Sequence, residues 1–152
     1  MFMENETTVK YSTVKGLILA FAGAIAGFAI WTIVIALLGA GTGGMVGGGA
    51  AAVLGMLIAG GYRKGPGRPG IVGIILIAPL AFITTAITIT LGTSIIIYQE
   101  GLGQNVLESL EILSELLGTD SRLTGAFLQD LLITAGISVV TAAATVGGKK
   151  KK

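Results

Sequence analysis

The chain has 152 residues, of which 53% are apolar and only 12% are charged. Soluble globular chains carry about 25% charged residues, so this composition is that of an integral membrane protein. The absence of cysteine and histidine excludes disulfides, thiol chemistry and the usual zinc and haem ligands, and we expect no cofactor and no metal. The net charge of +2 comes from basic blocks beside apolar runs, a pattern that does not indicate a nucleic-acid partner.

The first apolar run, residues 16–38, contains no charged residue. As a helix, it would be about 35 Å long, which exceeds the ~30 Å hydrocarbon core of a bilayer. The apolar core of a signal peptide is shorter, about 7 to 15 residues, and a cleavage site follows it. We therefore predict a first transmembrane helix at 16–38 after a cytoplasmic tail at 1–15.

A glycine-rich stretch follows, and its uncharged part predicts a second span at 44–61. Gly39, Gly41 and Gly44 match the spacing G-x-G-x-x-G of dinucleotide-binding loops. However, that site needs an acidic residue about 20 positions later, and residues 7–99 contain neither Asp nor Glu. The G-K-S or G-K-T of a P-loop is also missing, so the glycines indicate close helix packing rather than phosphate binding.

Small residues recur every three or four positions in both spans, as in a glycine zipper. The connection between the spans is short, so they should form an antiparallel hairpin and pack glycine face to glycine face. The predicted packing residues are Gly23 and Gly27 in the first span and Gly44, Gly48 and Gly55 in the second.

Residues 62–70 form a predicted basic cytoplasmic turn that contains Pro66 and Pro69. A long uncharged run at 71–98 then predicts the third span, with Pro79 as a kink.

The segment 99–124 has five acidic residues and one basic residue, Arg122. Within it, 105–117 predicts an amphipathic helix with Asn105 as its cap and Gly118 at its end. Its apolar face would carry Val106, Leu107, Leu110, Leu113 and Leu117. Since the opposite face is acidic, we expect packing onto the spans or a partner protein rather than attraction to anionic lipid.

The fourth span is predicted at 125–147, followed by a lysine tail at 148–152. Basic residues mark the cytoplasmic side of membrane proteins, and the acidic segment would lie outside. The chain should therefore be a multi-pass protein of the cell membrane with both termini in the cytoplasm. The residues that set this topology are Arg63, Lys64, Arg68, Lys149 and Lys150.

A stripe of polar residues on the fourth span has two interpretations. Its hydroxyls can bond to their own helix and allow close packing, or the stripe can line a path for an ion or small solute, with Asp130 as a vestibule charge. No catalytic residues are predicted and an enzyme is the least favoured class, because paired carboxylates and lysines within a span are also missing. The stripe consists of Asp130, Thr134, Ser138, Thr141 and Thr145.

The glycine-rich hairpin, the basic turn "GGYRKGPGRPG", the acidic segment and the motif "GAFLQDLLI" occur in this order. Together they resemble a family of small, four-span bacterial and archaeal membrane proteins without assigned function, over residues 16 to about 147. The resemblance implies the same four-helix architecture and transfers no binding or catalytic residue.

The sequence thus predicts an all-α membrane protein of four transmembrane helices in a single domain. Its expected role is assembly, either as a homo-oligomer or as an accessory subunit of a larger membrane complex in the lipid bilayer. The alternative is a small pore or transporter. The two differ in whether the small-residue faces are all used inside the bundle or whether one points outward.

Overall fold

The computed structural model describes residues 10–38 and 45–148 of the chain. These residues form helices and no strand, which confirms the all-α class. The helices are α1 (Thr13–Leu38), α2 (Met45–Lys64), α3 (Ile71–Gln99), α4 (Val106–Thr119) and α5 (Ser121–Gly147).

Three of the helices, α1, α3 and α5, are long and apolar enough to cross a membrane. They contain 26, 29 and 27 residues. The second predicted span corresponds to α2, which has 20 residues and is not among these three. The short helix α4 has 14 residues.

The four longer helices pack around a common core in the order α1, α2, α5, α3. Each contacts its two neighbours in this order, and α2 also contacts α3 across the bundle. Among the described residues, α1 and α5 do not touch, so they occupy opposite corners. The four longer helices alternate in direction along the chain: Gly16 and Gly23 of α1 lie near Tyr62 and Leu57 of α2, and Gly73 at the start of α3 lies near Val146 at the end of α5.

Among the described residues, α2 contributes the largest group of buried apolar side chains to the core, among them Leu54, Ile58 and Tyr62, each 0% exposed. The other helices bury mainly small residues on one side and expose large apolar side chains on the other. Such an outer surface suits hydrocarbon rather than water. Examples of these exposed side chains are Ile18, Phe21 and Ile25 on α1, Ile75 and Ile83 on α3, and Leu132 and Val140 on α5.

Several helix ends differ from those predicted. The helix α2 continues to Lys64, so the turn before α3 is shorter than 62–70. It ends there because Gly65, Pro66 and Gly67 follow, and α3 begins after Gly70, whose φ of 80° suits glycine.

At the other end of the bundle, Gly118 does not terminate α4, which runs to Thr119. The helix α5 starts at Ser121, four residues before the predicted span. Asp120 separates the two helices and determines both ends. Its backbone N–H donates to Leu116 O at 2.9 Å, and its carboxylate accepts from the amides of Arg122 and Leu123 at 2.9 and 3.2 Å.

Candidate functional site

The contact between α1 and α2 brings the two backbones together at glycines. A Cβ atom added to Gly23 would overlap the carbonyl oxygen of Leu57, and one added to Gly27 would overlap the side chain of Leu54. On the α2 side, Gly61 is equally close to the carbonyl oxygen of Leu19. Gly23 and Gly27 therefore lie in the helix contact where the sequence placed them.

The glycines predicted for the α2 side of this contact lie elsewhere. Gly55 packs against the carbonyl oxygen of Ser138 on α5, and the nearest atom to a Cβ on Gly48 is Ile137 Cδ1, also on α5, at 3.5 Å. The predicted pairing of Gly48 and Gly55 with the first span is therefore wrong. Six residues separate Gly55 from Gly61, which places them about 120° apart around a helix, so α2 has two small-residue faces. Gly44 lies outside the described residues.

Three glycines surround Tyr62 near the end of α2, an arrangement that the sequence did not predict. Cβ atoms on Gly16 and Gly73 would lie 3.1 and 3.0 Å from the tyrosine ring, and one on Gly67 would overlap it. The ring is 0% exposed, and its hydroxyl has no hydrogen-bond partner within the described residues. Glycines from α1, the turn and α3 thus make room for one large side chain.

The predicted polar stripe on α5 does not face a single environment. Asp130 is exposed, Thr134, Thr141 and Thr145 are half-buried, and Ser138 is 0% exposed. The hydroxyls of Thr141 and Thr145 donate to the carbonyls of Ile137 and Thr141 at 2.7 and 2.8 Å. The Ser138 hydroxyl, in contrast, has no partner among the described residues.

The serine and threonine hydroxyls of α3 are satisfied within that helix. Each of six donates to the carbonyl four residues earlier at 2.6–2.9 Å, which is how Ser and Thr are accommodated in apolar helices. They therefore carry no donor that is free for a solute. The six residues are Thr84, Thr85, Thr88, Thr90, Thr93 and Ser94.

One end of the bundle, here called the basic end, collects most of the described basic residues. The start of α1 is bonded to the turn after α2 (Ser12 N–H to Pro66 O, 2.9 Å), and the start of α3 to the end of α5 (Gly70 N–H to Val146 O, 3.5 Å). Arg63 donates from Nη1 to Thr145 O at 3.0 Å, a carbonyl in the last turn of α5. The described basic residues at this end are Lys10, Lys15, Arg63, Lys64 and Arg68. Lys149 and Lys150 lie outside the described residues.

The opposite end, here called the acidic end, contains α4, which packs on α3 and α5. Asn105 caps this helix as predicted, accepting from the Glu108 amide at 2.9 Å. Leu113 is buried in the contact, but Leu107 is 75% exposed. The prediction that Leu107 shares a face with Leu113 is wrong. The two leucines are six positions apart in the sequence, which places them about 120° apart around the helix.

The outward face of α5 combines open glycines with polar groups. Gly125, Gln129 and Gly136 are exposed and lie within about 40° of one another around the helix, and a Cβ atom on either glycine would meet no atom within 4 Å. Asp130 is also exposed, but it lies about 120° from Gly136. This face therefore has room for a close neighbour, unlike the faces of Gly23, Gly27 and Gly55.

Within the described residues, no three Asp, Glu, Cys or His side chains are grouped so that they could hold a metal ion. No family model matches the chain, and neither a curated protein nor a solved structure does. The resemblance to four-span membrane proteins therefore stays a prediction.

Proposed function

We propose that the chain is a four-span membrane protein that acts by assembly, as a homo-oligomer or as an accessory subunit of a larger membrane complex. The observation that carries this proposal is the outward face of α5, where small and polar residues lie exposed on a candidate span.

The helix α2 crosses the bilayer together with the other three. Its 20 residues give about 30 Å, the thickness of the hydrocarbon core. It packs on α1 through Gly61 and on α5 through Gly55, so lipid surrounds it only on its remaining side. A helix held between spans in this way needs less apolar surface of its own.

The basic end faces the cytoplasm, and the cell membrane is the location. Lysine and arginine residues near the ends of spans favour the cytoplasmic side. The basic end contains Lys15, Lys64 and Arg68, whereas Glu100, Glu111 and Glu115 lie at the acidic end. With the basic end inside, both termini lie in the cytoplasm and α4 lies outside.

The outward face of α5 is the assembly surface. Gln129 is a polar residue in a candidate span, and exposing it to lipid is unfavourable unless a partner or the headgroup region receives it. One turn or two further along, Gly136 offers the flat surface on which another helix can approach closely. Polar groups and glycines on one face are typical of contacts between membrane helices.

The test is the native mass of the protein extracted in a mild detergent, with identification of any chains that co-purify. We expect the wild-type chain to be an oligomer or to carry a partner, and Gly136→Leu to release a folded monomer. Gly49→Leu is the matched control, because Gly49 on α2 is equally open. A wild-type monomer without partners, or equal effects of both substitutions, would contradict the assembly role.

A pore or transporter is the second candidate. It is favoured by two buried hydroxyls, those of Tyr62 and Ser138, that have no hydrogen-bond partner in the part of the chain that the structure describes. Flux measurements on purified protein in liposomes distinguish the two roles. We expect no ion-selective flux from the wild-type protein and none from Asp130→Asn. Reproducible, ion-selective conductance from the wild-type chain alone would establish the pore instead.

A further inference from the structure

A shallow groove runs along the outer side of the α1–α2 hairpin, away from α3 and α5. Its volume is about 330 Å³, and we call it the hairpin groove. Ala22 and Ala26 line it from α1, Gly60 and Met56 line it from α2, and Gly23 and Gly61 form its floor, where the backbones touch. A Cβ on Gly60 would meet no atom within 4 Å, so the groove is open at this point.

The groove has a charge at one end only. Lys64 lines it at the basic end, and the other described lining residues are apolar or glycine. Lys15 lies one turn before the lining residue Leu19 on the same face of α1, and its carbonyl contacts Gly65 directly after Lys64. Both lysines are exposed. Arg63 does not belong to this pair, because its side chain is bonded to Thr145 on α5.

We propose that the hairpin groove binds one anionic phospholipid, with an acyl chain between α1 and α2 and the phosphate between Lys15 and Lys64. The open apolar hairpin groove fits a hydrocarbon chain, and the two exposed lysines at its basic end fit an anionic headgroup. The inference rests on the proposal that α1 and α2 cross the bilayer.

Charge argues against a second copy of the chain in the same groove. Two copies inserted in one membrane have the same orientation, so a two-fold dimer through this groove would bring four lysines together at one end. Like charges at such short range repel one another. An anionic headgroup instead neutralises the two lysines of a single chain.

The experiment is native mass spectrometry of the purified full-length chain, titrated with phosphatidylglycerol or with phosphatidylcholine of identical acyl chains. We expect one phosphatidylglycerol to be retained per chain, in preference to phosphatidylcholine. Lys15→Gln and Lys64→Gln should each weaken the retention of phosphatidylglycerol by roughly fivefold, the effect of one basic residue near an anionic headgroup. Gly60→Leu, which fills the groove, should abolish the retention of both lipids.

Two matched controls separate this site from general effects of charge and size. Arg68→Gln removes one positive charge from the basic end outside the groove, and Gly49→Leu adds the same side chain at an open position of α2 outside the groove. Both variants should bind as the wild type does, and a melting temperature for each variant verifies folding. The lysine variants leave the glycines intact, so they test the site even if Gly60→Leu fails to fold.

The same spectra also give the oligomeric mass, so failure of the lipid-site proposal can be distinguished from failure of the assembly proposal. Equal retention of the two lipids, or equal losses in the variants and their controls, would overturn the lipid site while the oligomer stays intact. Dissociation of an oligomer by Gly60→Leu, without any retained lipid in the wild type, would also overturn it and assign the groove to a second copy.

Discussion

Gly55 of α2 lies directly against the carbonyl oxygen of Ser138 on α5, so closely that a Cβ atom at this glycine would overlap the oxygen. The amide nitrogen of Ala142, one turn further along α5, would be 3.1 Å from the same Cβ. The contact therefore joins two backbones, and neither can move aside by changing a rotamer. It fixes the distance between two helices that are far apart in the sequence.

Replacing Gly55 by alanine should lower the melting temperature in detergent, because the added methyl group meets backbone rather than a flexible side chain. Overpacking of this kind costs about 1–3 kcal/mol. Gly49→Ala is the control, since a Cβ there meets nothing within 4 Å. At Gly49 the gain in helix propensity, up to ~1 kcal/mol, should leave stability unchanged or raised. Equal melting temperatures for the two variants would show that α2 and α5 are farther apart than described.

Arg63 stabilises the basic end by donating to a carbonyl in the last turn of α5, where carbonyls lack partners within the helix. Arg63→Gln should reduce the free energy of unfolding by about 1 kcal/mol, since the bond is charged but exposed to solvent. Arg68→Gln removes the same charge from the neighbouring turn and should have a smaller effect. Chemical denaturation in mixed micelles measures both, and a larger loss for Arg68→Gln would contradict the contact.

Asp120 should control the corner between α4 and α5, because its carboxylate caps the second and third amides of α5. Loss of an N-cap costs about 1 kcal/mol, so Asp120→Ala should destabilise the start of α5 by this amount. Hydrogen exchange at the amides of Arg122 and Leu123 should become faster. Asp120→Asn keeps an accepting oxygen and should exchange like the wild type; faster exchange in this variant too would assign the effect to charge rather than capping.

Membrane orientation can be measured with single cysteines, because the chain has none of its own. The labelled positions must be exposed, as Ser114 on α4 and Pro69 in the basic turn both are. Ser109 and Gly65 lie in the same two segments but are buried, so cysteines there would be poorly accessible to the reagent. Ser114→Cys should react with an impermeant thiol reagent on intact cells, and Pro69→Cys only after the cells are permeabilised. The reverse pattern would invert the topology, and labelling of both on intact cells would exclude four spans.

The local features of the sequence were sufficient to predict the helices. Two uncharged runs, of 23 and 28 residues, are long enough to cross a bilayer as helices, in which every backbone N–H and C=O of the apolar region finds a partner. The cap at Asn105 is also predictable from local sequence, because its side chain accepts from an amide only three residues later. The predicted helix ends around Asp120 are less accurate. Asp120 is both the C-cap of α4 and the N-cap of α5, and the sequence does not show that one residue has both roles.

The sequence by itself determined that this is a helical chain of membrane composition, with small residues on defined helix faces and opposite charges in separate segments. Only the tertiary structure decided which helix each face meets. Helical periodicity places Gly55 and Gly61 on different sides of α2, but it contains no information about the helix that occupies each side. That choice depends on how four helices fill space together, and this arrangement set Gly55 against α5, left Gly136 exposed and opened the groove beside Gly60.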